Sequence, residues 1–280
     1  MRPMERIATA RHVDGRTFWV ATSTGHGLVV EGASEEARPP AGPGPMELML
    51  VSLATCAGST MRDLLTGMRQ PFRRLVVRVW GERASEPPRV WTRIRLRYQV
   101  VGEVVPDRLA RAVSLTDTKY CSASVMLSQV TDLEATTDLI HRVRAEDTRA
   151  LRRRVLRPHQ RLDELVDPGE EDPSTVFFAA HRGEEVVGTA ALYREPLPGE
   201  AAAARRIRAM ATAPEVRGQG VGELLLEACL DRARDDGATV VWCNARLGAV
   251  GFYRRYGFAV VSEPFDVEGI GPHVRMRRLV

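Results

Sequence analysis

The stretch MATAPEVRGQGVGELLLEACLDRA at residues 210–233 constrains the fold more than any other part of the chain. A strand ends near Thr212, a short loop carries Arg217, Gly218, Gln219, Gly220, Val221 and Gly222, and a helix begins at once. Such a loop aims several backbone N–H groups at one point on the positive end of a helix, and glycines without side chains let a phosphate approach that backbone. A diphosphate is the natural guest. The spacing Gly-x-Gly-x-Gly lies too far past the strand for a dinucleotide fingerprint, and no Gly-Lys-Ser/Thr marks a nucleotide P-loop. After residue 137 the pattern runs strand, helix, strand, strand (LIHRV, EDTRALRRRVL, TVFFAAHR, EEVVGTAALY), then the strand IRAMAT, the glycine loop and its helix. The strand TVVWCNA, a helix around VGFYRRYGF and a last pair of strands complete it.

The first part reads differently. ARHV, Asp14-Gly15, RTFWVAT and GLVVEG form a β-meander. The loop ARPPAGPGP leads to Pro45, which suits the first turn of a helix that is apolar on most faces up to Cys56. Two strands follow, and in the second Ile94, Leu96, Tyr98 and Val100 alternate with Arg93, Arg95, Arg97 and Gln99, which predicts one wet, basic face. A chain of 280 residues has room for two cores. The expected architecture is an α+β two-domain protein with domains at 1–137 and 138–280, the boundary near Thr137.

Composition excludes several classes. Residues 1–137 carry 18 basic and 14 acidic side chains and residues 138–280 carry 22 of each, so the net charge of +4 is mild and scattered, and RRRV at 152–155 lacks interleaved aromatics. No nucleic-acid partner is expected. No unbroken apolar run reaches the ~18 residues of a membrane span, and MRPMERIATARHV has no apolar core for a secretory signal. The expectation is a cytoplasmic protein with no membrane partner. The four cysteines form no Cys-x-x-Cys pair, so no metal is expected, and any disulfide would be chemical rather than structural.

Arg-x-x-Gly-x-Gly followed by NARLGAVGFYRRYGF resembles the GNAT-type N-acetyltransferase superfamily, over roughly residues 138–280. The resemblance implies an α/β fold with a mixed central sheet. It implies acetyl-CoA as donor, its pyrophosphate held by the backbone amides of Arg217 to Gly222 and its pantetheine arm paired with Met210, Ala211 and Thr212. Asn244 and the GFYRRYGF helix would close the other side, and Tyr253 matches the tyrosine that protonates the departing thiolate. A phenol of pKa ~10 suits that donation; a core tyrosine is the structural alternative. Glu215, in the glycine loop, reads as a helix N-terminal acid rather than a base. His273 is a candidate at the acceptor site, against a structural histidine, and a water chain could serve as base instead. The acceptor is a small-molecule or protein amine; the acidic loop DPGEEDP hints at a cationic one, although a charge run is usually solvated. Cys229 and Cys243 read as buried small hydrophobes.

Cys56 and Cys121 each lie in a helix among small residues, in LATCAGST and KYCSASV. Cys121 falls near a helix N-terminus beside Lys119, the single lysine of the chain, and both features would favour a thiolate. The stretches GPGPMELMLVSLATCAGSTM, GERASEPPRVWTRIRLRYQVVG and KYCSASVML together resemble the OsmC and organic hydroperoxide resistance superfamily, over about residues 5–136. The resemblance implies an intertwined homodimer with central buried helices. It also implies that Cys56 attacks an organic hydroperoxide and that Cys121 resolves the sulfenic acid to a disulfide, which a dithiol reduces. Where members of that family place a glutamate after the helix-opening proline, this chain has Met46; Glu47 is one residue late and falls about 180° around the helix from Cys56. Arg38 is the candidate thiolate-stabilising arginine, against a solvated loop charge. The combined expectation is a bifunctional fusion. The alternative makes the N-terminal domain a non-catalytic dimerisation or redox-sensing module that regulates the acetyltransferase.

Overall fold

Turn chemistry opens the chain: Gly15 and Gly25 have φ of 52° and 83°, the left-handed conformation that tight reversals need. Around them, in a computed structural model describing residues 8–33, 39–199 and 203–280, β1 (Ala8–Asp14), β2 (Thr17–Thr22) and β3 (Gly27–Glu31) form the expected antiparallel meander. Then come α1 (Pro45–Gly67), β4 (Arg74–Arg83), β5 (Trp91–Val101), α2 (Pro106–Leu115), a π-helical turn at Thr116–Tyr120, α3 (Ser122–Leu127) and β6 (Asp132–Val143). The remainder is α4 (Arg149–Leu156), β7 (Val176–Arg182), β8 (Glu185–Tyr193), β9 (Ala204–Thr212), α5 (Val221–Asp235), β10 (Val240–Arg246), α6 (Val250–Arg255), β11 (Ala259–Val260), β12 (Phe265–Val267) and β13 (Gly271–Leu279).

Two compact units divide these elements. The first draws on Met1–Met61, Val77–Leu96 and Val113–Ala135, the second on Arg62–Val76, Arg97–Ala112 and Thr136–Val280. Thr137, the expected boundary, lies inside β6, a single strand that includes the residues DLEATTD.

In the first unit, α1 buries one stripe, Leu53, Ala57 and Met61, spaced four residues apart. Met49 and Val51 stand 40% and 48% exposed, so within a single chain the helix is not covered on nearly all faces as expected. By length and composition α1 is apolar enough to cross a membrane, with 22% of its most apolar 18-residue window buried. Ser52, Thr55 and Ser59 interrupt it, so a search for an unbroken apolar run passes over it.

The second unit is built on a mixed sheet of order β11-β13-β10-β9-β8-β7-β6, with β12 also on β13 and the ends of β5 and β4 continuing the order. β9 and β10 are parallel, which requires a crossover, and α5 supplies it. Leu224, Leu225, Ala228 and Cys229 of α5 are buried in the main core. A Cβ at Gly188 of β8 would come within 2.7 Å of Leu225 and 2.8 Å of Val221, so glycine is what lets α5 press against the sheet. The alternation expected along β5 breaks at Gln99, which is fully buried. Its Nε2 donates to Asp138 Oδ2 at 2.9 Å and to the Gln219 carbonyl at 3.1 Å, partners that offset the cost of burying an amide.

Candidate functional sites

β9 and β10 pair from Ala204↔Val240 to Ile207↔Cys243, and the pairing ends there. On its other edge β9 slips against β8: Thr189 faces Ala211, but Ala191 faces Arg208. The extra residue is a bulge at Ala209, whose φ of 51° is rare for a residue with a Cβ. From Arg208 onward, the edge of β9 that met β10 is therefore released, and Met210, Ala211 and Thr212 lie along it. Such an edge offers main-chain donors and acceptors to an extended ligand. Asn244 sits one residue past the last pair, and its Oδ1 is buried without a hydrogen-bond partner. A cavity of about 260 Å³ opens at this splay, lined among others by Met210, Asn244, Tyr253 and His273.

β9 runs directly into the glycine loop. A 3-10 turn at Pro214–Val216 precedes it, Gly218 and Gly220 take φ of 75° and 84°, and α5 starts at Val221. A helix leaves its first amides without intrahelical acceptors, so Val221 and Gly222 present donors at the positive end of a 15-residue helix. Gly222 backs onto Phe252 of α6 and Thr212, 3.6 Å from where its Cβ would be. Gln219 contributes differently from its neighbours. Its Oε1 accepts from Arg97 Nη1 and from Arg182 Nη2 at 3.1 Å, and its Nε2 donates to the Glu215 carbonyl at 2.9 Å, so its side chain braces the loop. Arg182 in turn holds Asp138 through two hydrogen bonds of 2.8 and 3.1 Å. Arg217 is exposed, and Glu215 accepts from Arg154 Nη2 at 2.9 Å.

Tyr253 of α6 is 5% exposed, with its hydroxyl hydrogen-bonded to the Cys243 thiol. Burial, reinforced by the Cys243 and Cys229 thiols, raises the phenol well above its ordinary pKa and keeps it a proton donor. Burial also pushes Cys243 up to about 12 and raises Cys229, which makes both inert small hydrophobes. His273 is 6% exposed, and its Nδ1 lies 2.7 Å from the Gly271 carbonyl. A ring nitrogen facing a carbonyl carries a proton, so in the neutral tautomer Nε2 holds the lone pair.

In the first unit, the structure brings Cys56 and Cys121 together. Both are free thiols in a mutual hydrogen bond, Cys56 on α1 and Cys121 capping α3, where its Sγ accepts from the Ser124 amide at 3.4 Å. The expectation of a thiolate-favouring setting at Cys121 is corrected: burial raises its pKa, the Ser124 hydrogen bonds oppose that rise, and Cys56 adds to it. Lys119 is exposed with its Nζ 5.1 Å over the Tyr120 ring. Glu47 Oε2 accepts from the Gly44 amide at 3.3 Å and so complements the N-terminus of α1, while Met46 is half-buried. Arg38 lies outside the described residues.

A family model described as an acetyltransferase (GNAT) domain matches residues 146–280, and one described as an OsmC-like protein matches residues 37–136. The uncharacterized N-acetyltransferase YitI of Bacillus subtilis is 32% identical over 136 residues, covering 48% of this chain and 91% of its own length. Protein YhfA of Escherichia coli K12 is 31% identical over 134 residues, covering 48% of this chain and 97% of its own. The chain belongs to both the GNAT acetyltransferases and the OsmC-like proteins. A solved OsmC-like protein from Mycoplasma pneumoniae aligns at 15% identity with a TM-score of 0.44, over 49% of this chain and 98% of that one.

Within the GNAT domain, the acidic loop differs from its sequence impression. Asp167 accepts from Arg152 Nη2 at 2.5 Å and from Arg157 Nη2 at 3.1 Å, and Glu170 accepts from Arg149 and from Arg152 Nη1 at 3.3 Å. Burial pushes the Glu170 carboxyl up, but Arg149, the Asp167 amide and Arg152 outweigh it and hold the group below its ordinary value. Asp167 and Glu170 thus neutralise arginines of the protein, while Glu171 and Asp172 of the same loop stay exposed. Sequence reasoning also passes over Ala209, Arg206 and Arg208. Alternation in ARRIRAMAT does place Arg206 and Arg208 on the face opposite buried Ile207, whereas nothing in an alanine signals a bulge.

Proposed function

We propose that the GNAT domain is an acetyl-CoA-dependent N-acetyltransferase that acetylates an amine by direct attack. One observation carries this reading: the edge of β9 released by the Ala209 bulge leads straight into the glycine loop and the amides of α5. The amides of the Arg217–Gly222 loop would hold the pyrophosphate and Met210–Thr212 the pantetheine arm. The orphaned Oδ1 of buried Asn244 is the polar atom that such a ligand would satisfy. The donor supplies an acyl group activated as a thioester. His273 Nε2, or water, takes the proton that the amine nitrogen sheds as its bond to the acyl carbon forms. Tyr253 gives its proton to the sulfur as the carbon–sulfur bond breaks; burial keeps the phenol protonated until that step, while making it a weaker acid than an ordinary phenol. Mass spectrometry of mixtures of the full chain, acetyl-CoA and an amine panel should show N-acetylated product. Absence of product with every amine, together with retained acetyl-CoA, would sink the reading.

We further propose that the OsmC-like domain reduces organic hydroperoxides. The contact between Cys56 and Cys121 supports this. Cys56 takes one peroxide oxygen as a sulfenic acid while the alcohol departs; Cys121 then forms the sulfur–sulfur bond with loss of water, and a dithiol supplies the two electrons that restore both thiols. The exposed apolar residues Met49 and Val51 on α1 favour a homodimer that covers them. Met46 and Glu47 favour the second reading, a dimerisation or redox-sensing module without peroxidase activity.

A further inference from the structure

Five guanidiniums line the cavity at the β9–β10 splay, those of Arg152, Arg157, Arg206, Arg208 and Arg246, and Asp167 is the one carboxylate among its lining residues. Arg152 and Arg157 are taken up by Asp167, and Arg246 Nη2 donates to the Leu156 carbonyl at 2.7 Å. Arg206 and Arg208, on one face of β9, are less well served. They share a single carboxylate, Glu195, at 2.5 Å from Arg206 Nη1 and 3.8 Å from Arg208 Nε. Arg206 Nε is buried with no hydrogen-bond partner, and its guanidinium lies 4.5 Å over the Trp242 ring. Its pKa is lowered, by burial first and then by neighbouring Arg208. A third arginine, Arg275 on β13, also over Trp242 at 5.6 Å, has a buried Nε without a partner.

We propose that the amine acceptor carries a carboxylate or phosphate group, and that Arg206 and Arg208 bind it. The inference deepens the acetyl-transfer reading and rests on it. Two half-satisfied guanidiniums in a poorly solvated wall favour an anion strongly, because their mutual repulsion is relieved and the orphaned N–H gains an acceptor. Position agrees with chemistry: Arg208 and Met210 line the same cavity on either side of Ala209, so the anion and the reacting nitrogen are a few bonds apart in one small molecule. The arginine wall also opposes a second ammonium, which excludes a polyamine. It disfavours the protonated form of the attacking amine as well, easing the demand on any general base.

Matched acceptors test this with the full chain: phosphoethanolamine against ethanolamine, and glycine against glycinamide, with spermidine as the cationic control. The anionic member of each pair should be acetylated with kcat/KM at least ~10-fold higher, as one added charge-assisted contact would give. Arg208→Gln should erase that preference while Arg208→Lys keeps part of it, both leaving the KM for acetyl-CoA unchanged. Equal rates, or a preference for ethanolamine, glycinamide or spermidine, would overturn the proposal. Should none of the probes be acetylated, calorimetric titration of phosphoethanolamine into CoA-saturated chain decides, and no binding, or binding no tighter than ethanolamine, overturns it. Failure of CoA itself to bind would instead remove the acetyl-transfer reading.

Discussion

Tyr253→Phe should lower kcat for acetyl transfer by about 100-fold or more, the loss that follows removal of a general acid, with the affinity for acetyl-CoA unchanged. The phenol lies in the core with its hydroxyl on Cys243, so the variant deletes one oxygen from a packed site and leaves the fold intact. Steady-state kinetics with direct binding measurements separate the two effects. A pH profile adds a sign. Because the folded-state pKa of Tyr253 is raised, the donor stays protonated through the range near ~10 where an ordinary phenol ionises, and kcat should not fall there on account of this group. A kcat that Tyr253→Phe leaves unaltered would reduce Tyr253 to a core residue.

Cys56→Ser should bring hydroperoxide consumption down to the uncatalysed rate, since serine cannot be oxidised in this way. Cys121→Ser should permit a single turnover that leaves a sulfenic acid on Cys56, trappable by a dimedone-type reagent and readable by intact mass. The pH dependence follows from burial. The raised pKa of Cys121 keeps it a thiol at neutral pH, so disulfide formation should accelerate as pH rises beyond the ordinary thiol range. Persistence of consumption in Cys56→Ser would end the peroxidase reading. Consumption absent from the unaltered chain too, with the thiols still oxidising to a disulfide, would favour the sensing module.

The parts of the fold that could be read in the sequence are those where chemistry is local. The glycines at 218, 220 and 222 announce a tight loop on a helix N-terminus, and loop and helix stand where the spacing puts them. The meander turns at Gly15 and Gly25 are legible for the same reason. What escaped depends on distant partners. Gln99 sits at a position that alternation assigns to solvent, and partners far along the chain, the Asp138 carboxylate and the Gln219 carbonyl, make its burial tolerable. Two of the four carboxylates of the acidic loop, Asp167 and Glu170, meet Arg149, Arg152 and Arg157, which the sequence does not signal, while Glu171 and Asp172 stay exposed. Lys119 is adjacent to a reactive-looking cysteine in sequence, yet the π-helical turn at Thr116–Tyr120 carries it onto Tyr120. The contact of Cys56 with Cys121 follows from packing between helices, which family resemblance supplied and local pattern could not.

The central claim is that the released β9 edge and the first amides of α5 form one continuous site for acyl-CoA. Calorimetric titration of the full chain with CoA, and in parallel with pantetheine that lacks the diphosphate, tests it most directly. Saturable binding of CoA at one site per chain is the predicted result, with markedly weaker binding of pantetheine because the loop amides lose their anion. No saturable heat with CoA, or equal affinity for the two ligands, would contradict it.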